Sequence, residues 1–560
     1  MQIKPWLEHY DVHVPHSLKY PKIACYEFLE HSAAKFPKKA CVIFEGLKIS
    51  YKTISCLSDH LAIRIKQMGL IKGDRVGLIF PNIPQFIITY FAILKAGGVV
   101  VSINPLFSDS EIKRILLDSN VRIVLCGEKL KTIFNKINCD VKLKIIVMCF
   151  FLFTIKPDMS QNAKSGISER DIRESLNNTG LMEMEYLELL KIPDKLSKIK
   201  EDVLPTDPAI FQYTGGTTGA PKAAVGLHRN IVANTIQFIR WCDLREGKEV
   251  VAAALPLFHV YGMLLTMNLG IALGASIVLI KNPRDVGGIL SDIEKYKVTF
   301  YPGVPNMYYA INQYPDVKAG KYDLSSIRAC ISGSAALQAE VKNDFENLTG
   351  GKLLEGYGLS EAPTATHCNP LYGENRSGSI GLPLPDVDCR VVDIDTGKID
   401  LKPSEIGELV IKGPQIMWGY HNMPRETKIV LKNGWLYTGD IVFMDEDGYF
   451  YIVDRKKSLI KVSGFQVWPN EIEAAIASHP GVKEVGVGGV YDAAKGERVI
   501  AWISLKENEK LNEKDIVRWC RGRLAPYKIP KEIYFLDALP RSGVGKILRR
   551  KLIEDYYLEH

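Results

Sequence analysis

Short runs of β-branched residues alternate with helical patterns along roughly residues 40–300 of the chain. Residues 75–80, 99–102 and 276–280 have the apolar, β-branched content of strands, whereas residues 85–95 have the apolar period of a helix. Strands and helices that alternate in this way build layered structures. The pattern therefore predicts an α/β fold whose sheets are largely parallel.

The pattern changes in the last third of the chain. Residues 381–451 are rich in strand-forming residues with repeated glycine turns, and the charged cluster 454–457 follows with no apolar residue to bury. Such a cluster suits an exposed connector between domains. A helical segment at 469–478 and strands near 482–490 and 499–505 then predict a small α+β domain.

Length and composition agree with this division. A chain of 560 residues is too long for one hydrophobic core, and its hydrophobic content of 46% is enough to fill more than one. We therefore expect a large α/β domain with a β-rich subdomain over 1–453, the connector at 454–457 and a small α+β domain over 458–560.

Charge and cysteine content narrow the class of protein. Eleven cysteines without CxxC pairs favour reduced thiols and a cytosolic location. The amino terminus lacks the apolar stretch of a secretory signal, and the lipophilic runs 145–155 and 250–280 are expected to be core rather than membrane spans. A net charge of +7 is mild for this length, so it suits anionic cofactors or lipid surfaces and argues against a nucleic-acid binder.

Residues 213–222 form the most informative motif, because they combine three glycines, three threonines and a terminal Lys222 after an apolar lead-in. Glycines let backbone N–H groups converge on an anion, threonine hydroxyls add donors, and lysine supplies a charge for phosphate oxygens. The spacing is not that of the Walker A motif. The loop therefore predicts a different kind of nucleotide-triphosphate site, with a plain strand-to-helix turn as the alternative.

Three later motifs add candidate chemistry. Residues 355–361 place an aromatic ring, glycines, a hydroxyl and a carboxylate together, which suits base stacking and a hard cation. Residues 435–440 end in Asp440, which suits two ribose hydroxyls but equally a turn or helix cap. Residues 540–546 carry Lys546 on a glycine-rich tip, either as a mobile catalytic cation or as a solvated surface lysine.

Together these segments resemble the adenylate-forming superfamily of acyl-CoA synthetases, firefly luciferases and peptide-synthetase adenylation domains. The resemblance covers nearly the whole chain. The segments that carry it, in family order and spacing, are 213–222, 355–361, 437–440, 454–457, 461–473 and Lys546. The segments that look most like bacterial long-chain fatty-acid–CoA ligases are 211–219, 378–383, 432–435, 468–473 and 544–550.

The resemblance implies a two-step ligase reaction. A fatty carboxylate attacks the α-phosphate of Mg-ATP to give acyl-adenylate and pyrophosphate, and coenzyme A then takes the acyl group and releases AMP. The implied partners are thus ATP, Mg²⁺, a fatty acid and coenzyme A. Cations and preorganised N–H donors would offset the repulsion between the two anions and the charge that develops at phosphorus.

Matching the motifs residue by residue implies a nucleotide site. The implied phosphate, metal, adenine and ribose ligands are Tyr213, Thr214, Gly215, Gly216, Thr217, Thr218, Gly219 and Lys222 for the phosphates; Glu361 for the metal, helped by Thr214; Ser360 for the α-phosphate; Gly333, Ser334, Gly356, Tyr357 and Gly358 for adenine, with Tyr357 stacked on the base; and Asp440 and Arg455 for the ribose. Lys546 would neutralise the α-phosphate and the fatty carboxylate during adenylation.

The resemblance also implies a mobile C-terminal domain. In this family the small domain rotates between the two half-reactions, and Lys457 matches the pivot, so 454–457 would be the hinge. The rotated face would carry Lys461 and Gly464, with Gly464 lining the entry for the pantetheine thiol because a side chain would obstruct it.

Substrate choice is less fixed by the sequence. His259 matches the mouth of the acyl pocket, although a lone histidine beside an apolar helix is often a core residue. Alternatives are an aryl or medium-chain acid–CoA ligase, an acyl-AMP ligase that loads a carrier protein, and a non-catalytic lipid-responsive protein.

Two departures from the family, Ala223 and Leu227, are expected to lower ATP affinity or remove a hydrogen bond. The lipid substrate and the basic tail at 549–551 suggest peripheral contact with the inner face of a membrane.

Overall fold

The computed structural model describes residues 4–127, 130, 133–134, 145–149, 182–185, 190, 201–214, 221–462, 465–492, 496–541 and 547–560. Their strands are β1 Ala40–Phe44, β2 Leu47–Ser50, β3 Arg75–Ile79, β4 Val99–Ser102, β5 Ile123–Gly127, β6 Ile145–Cys149, β7 Met182–Glu185, β8 Pro208–Thr214, β9 Lys222–Leu227, β10 Val250–Ala253, β11 Ser276–Leu279, β12 Ala329–Ser332, β13 Lys352–Gly358, β14 Ala365–Cys368, β15 Leu382–Pro383, β16 Asp388–Val392, β17 Gly407–Lys412, β18 Gly419–Tyr420, β19 Leu431–Lys432, β20 Trp435–Met444, β21 Phe450–Arg455, β22 Ile460–Val462, β23 Phe465–Val467, β24 Val482–Asp492, β25 Gly496–Leu505 and β26 Glu532–Phe535. Their α-helices are α1 Glu27–Lys35, α2 Tyr51–Gln67, α3 Pro84–Lys95, α4 Asp109–Ser119, α5 His228–Trp241, α6 Val260–Gly262, α7 Leu269–Ala272, α8 Val286–Tyr296, α9 Pro305–Gln313, α10 Pro315–Lys318, α11 Ala339–Thr349, α12 Pro424–Val430, α13 Pro469–Ala477, α14 Glu513–Cys520 and α15 Arg549–Glu559.

The largest sheet has the strand order β18-β9-β8-β4-β3-β5-β6-β7. Its pairings from β8 through β4, β3, β5 and β6 to β7 are all parallel, and only β9 and β18 run antiparallel to their neighbours. A second sheet, β10-β11-β1-β2, is parallel except for the β1–β2 hairpin. The predicted α/β fold with largely parallel sheets is confirmed.

Helix α3 lies at the centre of the large core. Every residue of Pro84–Lys95 is buried, as its nearly unbroken apolar sequence requires, and α2 packs along it. The predicted lipophilic stretch 250–280 is also almost wholly buried and contains β10, a π-helical segment Met263–Asn268 and β11. No helix in the part of the chain that the structure describes is long and apolar enough to cross a membrane.

The C-terminal third is built from two further sheets. One is antiparallel, in the order β16-β17-β20-β19 with β21 on β20, and matches the strand-rich stretch predicted from the glycine turns. The other has the order β23-β22-β25-β24 with β26 parallel to β25, and α13 packs on β24. These elements give the α+β C-terminal part that the sequence predicted.

The connector differs from its prediction at Asp454. Asp454 is buried, with its side chain 1% exposed, although the charged cluster 454–457 was expected to be solvated. Its carboxylate accepts hydrogen bonds from the backbone N–H of Asn470 at 2.7 Å and from the guanidinium of Arg549 at 3.0 Å. The expectation of full exposure is wrong for Asp454 because residues far along the chain satisfy its charge.

Candidate functional site

The β8–β9 hairpin holds both ends of the glycine loop. Thr214, the last residue of β8, is paired directly with Lys222, the first residue of β9. Residues 215–220 between them lie outside the described residues. Five implied phosphate ligands in this stretch stay predictions: Gly215, Gly216, Thr217, Thr218 and Gly219.

Strand alternation places one set of side chains on a common face of this hairpin. Directly opposed residues of neighbouring strands share a face, and successive residues of one strand point to opposite faces. Tyr420 of β18 is opposed to Ala224 of β9, two positions from Lys222. Thr214, Lys222 and Tyr420 therefore belong to the same face of the sheet.

Tyr213 and Ala223 belong to the other face. The hydroxyl of Tyr213 donates to the carboxylate of Asp118 in α4 at 2.6 Å, and burial, then Asp118, raises its pKa. Ala223 and Leu227 are buried in the apolar cluster on that side. The Ala223 methyl thus packs in the core, not beside the phosphate loop as its place in the sequence led us to expect. A phosphate contact by Tyr213 stays a prediction.

Glu361, the proposed metal ligand, is hydrogen-bonded to Tyr420 of β18, the strand that pairs with β9 of the hairpin. The Tyr420 hydroxyl donates to Glu361 Oε1 at 2.7 Å, and the ammonium of Lys222 lies 5.2 Å from the centre of the Tyr420 ring. Sequence reasoning missed Tyr420. Its only local signal is its place after Gly419, at the end of a short strand, which does not reveal a partner fifty-nine positions away.

Asp440, the proposed ribose ligand, has a partner on each carboxylate oxygen. The Tyr357 hydroxyl donates to Oδ2 at 2.5 Å, and Arg455 Nε lies 2.8 Å from Oδ1. Asp440 and Arg455 are opposed residues of β20 and β21, so the ladder itself brings them together. The Asp440 side chain is buried while that of Arg455 is about half exposed. Each carboxylate oxygen keeps a lone pair for a further donor.

Arg455 interacts electrostatically with both Glu361, the proposed metal ligand, and Asp440, the proposed ribose ligand. The charge of Asp440, followed by those of Tyr357 and Glu361, raises the pKa of Arg455 against the opposing effect of burial. Burial first, and then Asp440, raises the pKa of Tyr357. Glu361 and Asp440 therefore both lie within electrostatic range of the Arg455 guanidinium.

The end of β13 has no room for side chains at its glycines. A Cβ on Gly358 would lie 1.8 Å from the carbonyl oxygen of Thr364, and one on Gly356 would lie 3.3 Å from that of His367. A bulge between Tyr357 and Gly358 breaks the ladder with β14. This close backbone approach fixes where the partly exposed Ser360 and Glu361 leave the sheet.

The segment after β12 carries the other predicted adenine ligands. Ser334 is exposed and has a φ of 71°, and a Cβ on Gly333 would meet the ring of Tyr261 at 3.2 Å. Glu355 faces this segment from β13, since its carboxylate accepts from the backbone N–H of Leu337 at 3.2 Å. Burial raises the pKa of Glu355 to about 7. Gly333 and Ser334 thus directly follow β12, the strand next to the one that carries Tyr357.

His259 caps α6 as a neutral imidazole. Its Nδ1 accepts from the backbone N–H of Tyr261 at 3.3 Å, and burial lowers its pKa to about 4. With Nδ1 as the acceptor, the single proton is on Nε2, which is then a donor. The next residue, Val260, accepts from the hydroxyl of Thr364 at 2.6 Å, so His259 is tied to the turn that carries Glu361.

The remaining predicted residues lie in the C-terminal third. Lys457 and Lys461 are both exposed, with Lys457 in the short 3₁₀ turn Lys456–Ser458 and Lys461 in β22. Lys546 and Gly464 lie outside the described residues, and their roles stay predictions. The structure therefore brings together Thr214, Lys222, Glu361, Tyr357, Asp440 and Arg455, but leaves the expected catalytic lysine untested.

Comparison with known proteins identifies this architecture. Residues 29–421 match the family model described as AMP-binding enzyme, and residues 471–546 match that of the AMP-binding enzyme C-terminal domain. The chain is 42% identical to a long-chain-fatty-acid–CoA ligase of Bacillus subtilis over 100% of this chain and 99% of the relative. It is 36% identical to that of Escherichia coli over 99% and 98%. The crystal structure of ATP-bound MatB from Rhodopseudomonas palustris is similar at a TM-score of 0.81 and 28% identity, covering 95% of this chain and 99% of that one.

Proposed function

This chain belongs to the AMP-binding enzymes of the adenylate-forming superfamily, and we propose that it activates a long-chain fatty acid and transfers it to coenzyme A. It is an acyl-CoA ligase of this superfamily. The long-chain substrate is the finer part of the proposal. It is supported by relatives at 36–42% identity over nearly the full chain that are named for that substrate.

One observation carries the proposal: Asp440 and Glu361 each accept a hydrogen bond from a tyrosine hydroxyl, but their surroundings differ. Asp440 is buried and held on both oxygens, as a rigid ribose ligand needs to be, whereas Glu361 is partly exposed and held on one oxygen. Fixed acceptors for a sugar beside an open acceptor for a cation suit a nucleoside triphosphate. Lys222 adds a positive charge on the phosphate side.

The residues present fit a magnesium ion. Glu361 Oε2 accepts no hydrogen bond from any residue that the structure describes, so a carboxylate oxygen is open for a hard cation. The Thr214 hydroxyl, at the mouth of the glycine loop, would complete the protein's share of the ligands. Mg²⁺, when bound, would offset the negative charge of the phosphates. Lys222 would hold the outer phosphates nearby.

Adenylation forms one bond and breaks another. A carboxylate oxygen of the fatty acid bonds to the α-phosphorus while the bond to pyrophosphate breaks, so two anions must meet and charge builds at phosphorus. His259, as a neutral Nε2 donor, would hold the carboxylate by a hydrogen bond and would not remove a proton. Ser360 would contact the α-phosphate. We propose Lys546 as the cation that neutralises both reacting groups.

The second half-reaction replaces AMP by a thiol. The sulfur of coenzyme A bonds to the acyl carbon, the bond from that carbon to the phosphate oxygen breaks, and the thiol proton is lost to solvent. We propose that Lys457 is the pivot that exchanges the two faces of the C-terminal domain, and that Lys461 and Gly464 then border the path of the thiol.

The test is AMP release from ATP and Mg²⁺, with and without coenzyme A, across acids from acetate to oleate and one aromatic acid. We expect a maximum at long chains with acyl-CoA formed in equal amount. Each buried CH₂ contributes about 0.8 kcal/mol, so chain length should discriminate strongly. A maximum for the aromatic or a medium-chain acid would refute the long-chain substrate. AMP without thioester would identify a carrier-loading enzyme.

A further inference from the structure

Tyr420 lies between two of the charged groups in the proposed nucleotide site. Its hydroxyl donates to Glu361 Oε1 at 2.7 Å, while the ammonium of Lys222 lies over its ring, 5.2 Å from the centre. The two charges therefore contact different parts of one side chain. Within the part of the chain that the structure describes, Lys222 and Glu361 form no ion pair with each other.

The backbone around Tyr420 is fixed independently of these contacts. Tyr420 pairs with Ala224 in the sheet, and its N–H donates to the hydroxyl of Thr427 in α12 at 2.9 Å. Three residues earlier, the N–H of Met417 donates to the carbonyl oxygen of Glu361 at 2.8 Å. The segment that ends in Tyr420 thus holds both the backbone and the carboxylate of Glu361.

We propose that Tyr420 is a positioning residue of the nucleotide site. Its hydroxyl occupies Oε1 of Glu361 and leaves Oε2 open for a metal ion, and its ring keeps the Lys222 ammonium on the phosphate side. Without the ring, Lys222 and Glu361 would neutralise each other, and neither charge would serve its ligand. This inference rests on the proposed function, because it assigns these two residues to Mg-ATP.

Two substitutions separate the hydroxyl from the ring. Tyr420→Phe removes only the hydrogen bond, so the dissociation constant for Mn²⁺ in the presence of ATP should rise about tenfold. Its affinity for ATP in EDTA should not change. Tyr420→Leu also removes the ring, and it should weaken ATP binding in EDTA as well. Mn²⁺ is followed by the electron paramagnetic resonance of the free ion, and ATP by titration calorimetry.

Tyr449→Phe is the matched control. The Tyr449 hydroxyl also donates, to the carbonyl oxygen of Glu374 at 2.6 Å, and a cation, Arg376, also lies over its ring at 4.1 Å. This variant should bind Mn²⁺ and ATP as the unaltered chain does.

Each outcome decides one of the two proposals. An unchanged Mn²⁺ constant for Tyr420→Phe, or an equal loss with and without metal, would overturn the role of Tyr420 alone. If the unaltered chain binds no ATP, the proposed function fails and the inference fails with it.

Discussion

Removal of Arg549 should weaken the contact between Asp454 of the connector and the helices α13 and α15 of the C-terminal part. Its guanidinium lies 3.0 Å from Asp454 Oδ1 and contacts Glu473 twice, at 2.7 and 2.5 Å. Asp454 is 1% exposed, Glu473 19% and Arg549 22%. Burial raises the pKa of Glu473, and the contact with Arg549 opposes that rise. Two mostly buried carboxylates thus share one cation.

The expected magnitude follows from this burial. Removing one partner of a buried ion pair costs about 3–5 kcal/mol, because the other charge is left without compensation. Asp454 keeps its N–H donors from Arg455 and Asn470, and Arg549 is partly exposed, so we take the lower end. Arg549→Met should therefore cost about 3 kcal/mol, which is about a hundredfold in a local opening equilibrium.

Hydrogen exchange of the backbone amides in β24 and β25 measures that equilibrium directly. Protection there should fall about a hundredfold in Arg549→Met. Arg550→Met is the matched control, because among the described residues Arg550 pairs only with Glu554, one helical turn away, and both side chains are about half exposed. Such an exposed pair contributes under about 0.5 kcal/mol.

Equal protection in the two methionine variants would refute this reasoning. A second result would refute it as well. Adding Asp454→Asn and Glu473→Gln to Arg549→Met removes the unpaired charges, so most of the lost protection should return. If the triple variant is less protected than the single one, the loss does not come from uncompensated charge.

Two further predictions concern stability. Burial lowers the pKa of His228 and His259 to about 4 and that of His367 to about 3. Between those values and 6.5 the unfolded chain therefore binds more protons than the folded chain. Urea unfolding should show that the free energy of unfolding decreases as the pH is lowered through that range. Glu355, with its pKa raised from 4.5 to about 7, opposes this trend, so Glu355→Gln should steepen the fall. These four groups together contribute a slope of at most about 3 kcal/mol per pH unit, since three histidines act against one glutamate. Ala223→Gly should cost about 1–2 kcal/mol in urea unfolding yet leave ATP affinity, measured by titration calorimetry, unchanged.

The local patterns of the sequence predicted most of the fold. The predicted strand 99–102 is β4, and the predicted helix 469–478 is α13, with its end one residue earlier. These elements are specified by period and by β-branched content within a few residues, which is what a sequence displays. Asp440 and Arg455 were likewise implied by short motifs, and strand pairing then places them side by side.

What the sequence did not predict depends on partners far along the chain. Asp454 is buried because Arg549, ninety-five positions later, reaches it. A charged cluster is ordinarily solvated, and no local pattern reports a distant cation that compensates one of its members. Motifs therefore indicated which residues belong to the connector, but not that one of them is a buried anchor.

Tyr213 and Tyr420 show how a single position along a strand decides the face to which a side chain belongs. Tyr213 borders the glycine loop in sequence, and the family resemblance implies that it contacts the nucleotide. Its hydroxyl donates to Asp118 on the far face of the sheet, and the phosphate contact stays a prediction. Tyr420 lies two hundred positions away from that loop in the chain, yet it is on the same face as Thr214 and Lys222 and reaches Glu361. Because successive strand residues point to opposite faces, nearness in sequence to a loop predicts proximity but not orientation. The register between strands supplies the orientation, and three strands must pair before that register exists.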